Sequence, residues 1–396
     1  MPSANGHHKK PFRILTSDLL ITDISKELKK NPKLNEYAKR HGMEPGGKTL
    51  LDYERYKEMT PLMMRGGLFT APGGSSANVV TTLSRLMGDG VEVSFIGRVG
   101  NGPISEAIDY EMRDANINMI RPPIPDGLQL HGAVTYALLS EDERGERDKH
   151  NATYPGNVHE IIKPETADEQ LVKNTDAVFM QGSLWQKFDP EFSNRLMKYR
   201  WDLQKELWLA LPTKAEFGVD QQDFFQFLIP SANVVLGNMD ELCRTAGLLG
   251  KKGNAAELSP GQRMQALQKL RDAFNRHFED EDKMIRKDKQ RAFITDGSNS
   301  AWVVTRDKIE EIHVNKMPDE QIRNKTGVGD TAFSGFLYGY LNGLDAEQSA
   351  RIGVTLAREK LKEDDSRLPD PQKTLKDVLP YLYGAVQGEQ PVILRG

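Results

Sequence analysis

Residues 324–340 read "NKTGVGDTAFSGFLYGY". Gly327 and Gly329 bracket Val328, and Asp330 follows at once. Beyond it Ala332, Phe333, Phe336, Leu337, Tyr340 and Leu341 recur at helical spacing, which sets the turn at a helix N-terminus. The first N–H groups of a helix lack intrahelical partners and lie at the positive end of the dipole, so such a turn accepts anions. Glycines let the backbone come close to the anion. A carboxylate there also serves as a plain N-terminal cap, and the stretch alone leaves both readings open. It formally fits G-x-G-x-x-A with Glu347 further on, but polar "MPDEQIRNKT" stands where a dinucleotide-binding turn needs a strand. The P-loop spacing of glycines before Lys325 and Thr326 is also missing. The functional reading that remains is a phosphoryl-transfer site, an anion hole with Asp330 as the base beside it.

Outward from this stretch, short apolar runs alternate with amphipathic ones. "FRIL" (12–15), "VEVSFIG" (91–97), "DAVFM" (176–180), "ELWLAL" (206–211), "NVVLG" (233–237), "AFIT" (292–295) and "AWVV" (301–304) read as strands. Val79, Val80, Leu83, Leu86 and Met87 share one helical face, and Asp345 with Gln348 forms a capping-box pattern. Strand–helix alternation predicts a largely parallel sheet covered on both faces. Residues 133–140 alternate instead, which predicts a half-exposed antiparallel strand of a small separate sheet. Residues 26–70 are polar and read as an excursion.

The chain of 396 residues carries a net charge of −4 with Lys and Arg dispersed, so no footprint for nucleic acid appears. No apolar run approaches the ~18 residues of a membrane span. The start, "MPSANGHHKKPF", reads as a disordered tail (1–11) rather than a secretory signal. A single cysteine, Cys243, excludes an internal disulfide and fits a reducing, cytoplasmic setting.

Four motifs in order resemble those of the PfkB, or ribokinase-like, carbohydrate kinases. They are "PGGSSANVVTTLSRLMGDGVEVSFIGRVGNGPIS" (72–105), "GNMDEL" (237–242), "FITDGSNSAWVV" (293–304) and the opening stretch. "LNEYAKRHGMEPGGKTLLDYERY" (34–56) and "SEDERGERDKHNATYPGN" (140–157) resemble the excursion and lid turn of adenosine kinases and their bacterial relatives. The resemblance implies an α/β fold, an α/β/α sandwich with a mostly parallel central sheet and a small β-sheet lid. It implies one kinase domain over 12–396, with lid and excursion at about 26–70 and 120–155. The implied activity is transfer of the γ-phosphate of ATP to a primary hydroxyl of a nucleoside, adenosine first. The alternatives are a sugar kinase of ribokinase or fructokinase type, or a weak relative that only binds a nucleoside or nucleotide. The partner is a small molecule, and the chain is expected as a monomer or homodimer.

By position, Asp330 would be the general base and Gly327, Val328 and Gly329 the donors to the γ-phosphate. Asp23, Gly73, Gly74 and Asn78 would meet the acceptor, with Asp18 as the alternative to Asp23. Asn238 and Glu241 would organise Mg²⁺, Glu241 through water; the local alternative is an ordinary helix cap. Thr295 and Gly297 would line the nucleotide site, and Arg147 on the lid turn would close on the phosphate. Many such kinases are stimulated by K⁺ beside the anion hole. Here Asn324 and Lys325 stand where the family usually has Asp and Thr. The expectation is that K⁺ is not required, with the Lys325 ammonium folded back in its place.

Overall fold

The computed structural model describes residues 10–45, 47–64, 70–101, 103–141, 147–184, 188–212, 224–249, 254–276, 289–363 and 367–384. Among the described residues the strands are Phe12–Ser17 (β1), Ile21–Glu27 (β2), Lys48–Leu50 (β3), Thr70–Gly73 (β4), Val91–Ile96 (β5), Ile117–Ile120 (β6), Ala133–Glu141 (β7), Arg147–Tyr154 (β8), Ala177–Gln181 (β9), Glu206–Ala210 (β10), Val234–Asn238 (β11), Arg291–Asp296 (β12), Ser300–Thr305 (β13) and Ile309–His313 (β14). The α-helices are Pro32–Arg40 (α1), Tyr53–Met64 (α2), Ser75–Met87 (α3), Pro103–Asp114 (α4), Glu169–Lys173 (α5), Pro190–Asp202 (α6), Met239–Thr245 (α7), Pro260–Phe274 (α8), Val328–Leu341 (α9), Ala346–Lys360 (α10) and Pro371–Gly384 (α11). All seven apolar runs read as strands from the sequence are strands, and the Asp345–Gln348 capping box forms.

Nine strands make one sheet in the order β14-β13-β12-β11-β10-β9-β1-β5-β6. Its strands are parallel except at one edge, where β13 and β14 run antiparallel. Successive side chains of a strand point to opposite faces. In β10, Trp208 and Ala210 therefore face one apolar layer with α3, α4, α9, α10 and α11, while Leu207 and Leu209 face the other with α5–α8. This is the ribokinase-like sandwich that the motifs implied. Parallel strands end at a common edge of the sheet, and the motif residues lie at that edge.

The second sheet has the order β3-β8-β7-β2-β4. It contains the stretch 133–140, a strand with one covered and one open face in a small separate sheet, as its alternation predicts, although its pairing is mixed rather than purely antiparallel. β7 is antiparallel to β8 yet parallel to β2, and α1 and α2 cover one of its faces. Leu34, Tyr37, Met59 and Met63 from those helices pack on Ile24, Val134, Tyr136, Leu138 and Ala152. The excursion is polar overall but carries enough apolar residues to cap a sheet. The opposite face carries Asp23, Thr135 and Thr153 in one row, since β2 and β7 pair Asp23 with Thr135 and β7 and β8 pair Thr135 with Thr153. The two threonine hydroxyls are 3.1 Å apart, which shows that they share this face.

Candidate active site

Three segments are joined by direct contacts, and a fourth lies at the ends of β11 and β12. The first is the exit of β1. Asp18 is buried, and its carboxylate accepts from its neighbour's N–H (Leu19, 2.7 Å) and from the N–H of Ser76 in the first turn of α3 (3.2 Å). A carboxylate from outside the helix thus satisfies an orphan donor and meets the positive dipole end. The second segment is the turn into α3. Gly74 has φ +95°, and a Cβ there would lie 2.5 Å from the Leu19 carbonyl. A Cβ on Gly73 would lie 2.5 Å from the Asp23 carboxylate. The glycine pair is therefore what lets the β1–β2 segment lie against the start of α3.

The third segment is the N-terminus of α9. Gly327 is its N-cap in the left-handed region (φ +75°), a conformation that glycine adopts without steric cost. The N–H groups of Val328, Gly329 and Asp330 precede the first bond of the helix, Thr331 N–H to the Gly327 carbonyl at 2.9 Å. A Cβ placed on Gly329 would meet nothing within 4 Å, so open space lies over this turn. Asp330 does not cap its own helix. Its carboxylate accepts from Ser75 Oγ (2.5 Å) and from Asn78 Nδ2 (2.9 Å), both on α3. Protein packed round this carboxylate raises its pKa above the usual carboxylate value, and the Asp18 charge raises it further. The bonds from Ser75 and Asn78 and the Arg367 charge oppose the rise. A carboxylate so held has a fixed orientation and a strengthened affinity for a proton, which are the needs of a general base.

The fourth segment is the common edge of β11 and β12. Asn238 ends β11 and pairs with Thr295 of β12. Asn238 caps α7 in a reciprocal capping box with Glu241, with bonds of 2.9 and 3.0 Å. Both residues thus play the ordinary helix-start role. Gly297, at φ +58° in the β12–β13 turn, also has open space above it. Arg263 pairs with Asp296 at 3.0 Å beside it.

Of the residues singled out from sequence, Asp330, Asn78, Gly73 and Gly74 are brought together, with Asp23 against Gly73. Asn78 faces Asp330 through its amide nitrogen, and its buried Oδ1 has no partner among the described residues. Arg147 opens β8, but its side chain lies outside the described residues, as do His7 and His8. Lys325 is exposed and does not fold back. Sequence reasoning missed Ser75 and gave Asp18 second place; the signal for both was their position at a strand exit and a helix start. Cys243 is buried and its thiol is pushed up to about 11, so it is no nucleophile.

Residues 46–373 match the model of the pfkB family of carbohydrate kinases. The chain belongs to this family. It is a phosphotransferase of the sugar and nucleoside kinase group. A Bacillus anthracis protein named 5-dehydro-2-deoxygluconokinase is 22% identical over 293 residues, 71% of this chain and 77% of that protein. The 5-dehydro-2-deoxygluconokinase 2 of Bacillus cereus is 22% identical over 319 residues, 78% of this chain and 85% of that one. Among solved structures, the adenosine kinase of Sinorhizobium meliloti superposes with a TM-score of 0.69 at 18% identity, covering 93% of this chain and 99% of that one. Adenosine kinase of Schistosoma mansoni with 2-fluoroadenosine gives 0.72 at 16% identity, covering 91% and 98%. At such identities the structural likeness speaks for the fold of this pfkB kinase. Among its described residues no helix is long and apolar enough to cross a membrane.

Proposed function

We propose that this kinase transfers the γ-phosphate of ATP to a primary hydroxyl of a compact, polyhydroxylated acceptor, with Asp330 as the base. The observation that carries the reading is the Asp330 carboxylate, clamped by Ser75 and Asn78 at the open N-terminus of α9. Asp330 takes the hydroxyl proton as the hydroxyl attacks phosphorus. The N–H groups of Gly327, Val328 and Gly329 meet the charge that grows on the transferred group, and such positioning supplies most of the catalysis in phosphoryl transfer. Asn238, Thr295 and Gly297 line the nucleotide side, and Arg147 closes from the lid.

No cluster of three or more His, Cys, Asp or Glu side chains fit to hold a metal occurs among the described residues. A Mg²⁺ held chiefly by nucleotide phosphates and water needs no such cluster, and Glu241, at the helix start after β11, would act on it through water. Such an ion neutralises phosphate charge.

The row of Asp23, Thr135 and Thr153 favours a sugar, because hydroxyls and a carboxylate recognise hydroxyls through paired donors and acceptors. The aromatic side chains Tyr136 and Tyr154 are on the other face, under α1 and α2. The names of the Bacillus relatives point the same way. A nucleoside, adenosine first, is the second reading, favoured by the 34–56 excursion. ADP release with ATP–Mg²⁺ is to be measured against ribose, fructose, 5-dehydro-2-deoxygluconate, adenosine, inosine and cytidine. A sugar should raise the rate most. Adenosine as the fastest acceptor would install the second reading, and no stimulation by any acceptor would count against the kinase role.

A further inference from the structure

Lys360 is fully buried, and its ammonium donates to the carbonyl of Asn324 at 2.8 Å. Buried lysines are rare and costly unless their charge is used. The packing of α10 on α9 brings this one to its place. α9 and α10 form an antiparallel pair whose approach is close, since a Cβ on Gly335 would lie 2.8 Å from the Gly353 Cα and one on Gly339 would lie 2.6 Å from Ser349 Oγ. That approach sets the last residue of α10, Lys360, beside the segment entering α9. The segment is then tied down at three points. Arg323 N–H donates to the Leu361 carbonyl (2.8 Å), Lys360 holds the Asn324 carbonyl, and Asn324 Oδ1 accepts from the Thr326 N–H (2.8 Å). Gly327, the N-cap of the anion hole, follows directly.

We propose that Lys360 is a positioning residue that acts as a built-in monovalent cation for the anion hole, so that this kinase takes no K⁺ there. The proposal rests on the reading that the turn from Gly327 to Asp330 receives the phosphoryl group. An ammonium and an alkali cation do the same work on a carbonyl oxygen: each is a single positive charge that draws the oxygen in. A tethered ammonium does so at every salt concentration. The cation expected from sequence at Lys325 is thus supplied by Lys360, from the far end of the next helix. Residues that would surround a free K⁺ at the Asn324 carbonyl do not fit one, because the ammonium already occupies that contact.

The test uses the full chain as wild type, Lys360→Ala and Lys360→Gln, in KCl, NaCl or tetramethylammonium chloride at one ionic strength. ADP release by wild type should be the same in all three salts. Lys360→Ala should lose about tenfold to 100-fold in kcat, the worth of a charged hydrogen bond, with a smaller change in the KM for ATP. K⁺ should restore part of that loss, and tetramethylammonium should not. Melting temperature supplies a readout independent of turnover. K⁺ should raise it for Lys360→Ala relative to tetramethylammonium and leave wild type unmoved. This arm stands even if no acceptor supports turnover, which separates failure of the proposal from failure of the kinase reading. Strong K⁺ activation of wild type would overturn the proposal. So would a folded Lys360→Ala that responds to K⁺ in neither readout. If Lys360→Ala does not fold, Lys360→Gln decides. Full activity of that neutral variant without K⁺ would show that the charge is not needed.

Discussion

In the nine-stranded sheet the central strands are apolar on both faces, whereas in the five-stranded sheet only the face under α1 and α2 is apolar. The difference decides where chemistry can sit. A strand buried on both sides commits every side chain to packing, so function is left to its ends. Asp18 follows β1, Asn238 ends β11 and Thr295 lies near the end of β12. A sheet buried on one side keeps the width of its other face, and there Asp23, Thr135 and Thr153 stand in a row. The strand ends of the large sheet are thus the proposed place of the transfer machinery, and the open face of the small sheet is the proposed place of the acceptor.

The sharpest way to break this division is at Asp330. Asp330→Asn should lower turnover by roughly 10²–10⁴, the worth of a positioned base, while the KM for ATP shifts only a few-fold. Steady-state ADP release reads both, and near-wild-type turnover would remove Asp330 from the role.

Packing should separate the sheets next. Phe336 is fully buried and stacks on Phe293 with ring centres 4.9 Å apart. Phe336→Ala should cost about 3–5 kcal/mol. Tyr136→Phe in the small sheet keeps the ring and loses only the bond to Thr60 Oγ1 (2.6 Å), at about 0.5–1.5 kcal/mol. Urea unfolding of both variants compares them, and equal losses would contradict the ordering.

A smaller effect should mark the acceptor face. Thr135→Val keeps shape and removes a hydroxyl, so the acceptor KM should rise about tenfold, the worth of one hydrogen bond. The KM for ATP should stay put; a rise in that value instead would move Thr135 out of the acceptor site.

The gentlest test is pH. Because the folded state raises the Asp330 pKa, the folded chain binds that proton more tightly than the unfolded chain does. This group's contribution to stability is therefore full below the ordinary carboxylate pKa and is lost as pH rises through the folded value. Asp330→Asn removes the dependence. The melting temperature of the variant minus that of wild type should climb with pH across this window, and a flat or falling difference would contradict the burial of a charged carboxylate.

Much of this was legible in the chain itself. Alternating apolar runs marked β1, β5 and β9–β13, and glycine spacing marked the helix start at Asp330. The 133–140 stretch showed one buried and one open face, but its alternation could not show that β7 would also pair parallel with β2, or which helices would cover it. Asp18 and Ser75 were hard to rank, because a carboxylate at a strand exit and a serine at a helix start are ordinary in any α/β protein. Lys360 carried no signal at all: on a helical wheel it is one more basic residue in a last turn, where the dipole favours it anyway.

The sequence by itself determined the alternating strands and helices and singled out Asp330 at a helix start, because periodicity, caps and glycine turns are set by residues a few positions apart, and its four motifs carried the resemblance to the family. Only the tertiary structure decided what holds the Asp330 carboxylate and what ties down the segment before Gly327. Ser75 meets Asp330 across 255 positions of chain, and Lys360 meets Asn324 across 36. Such contacts depend on how closely α9 packs on α3 and α10. That closeness comes from small residues whose effect appears only when both helices are in place.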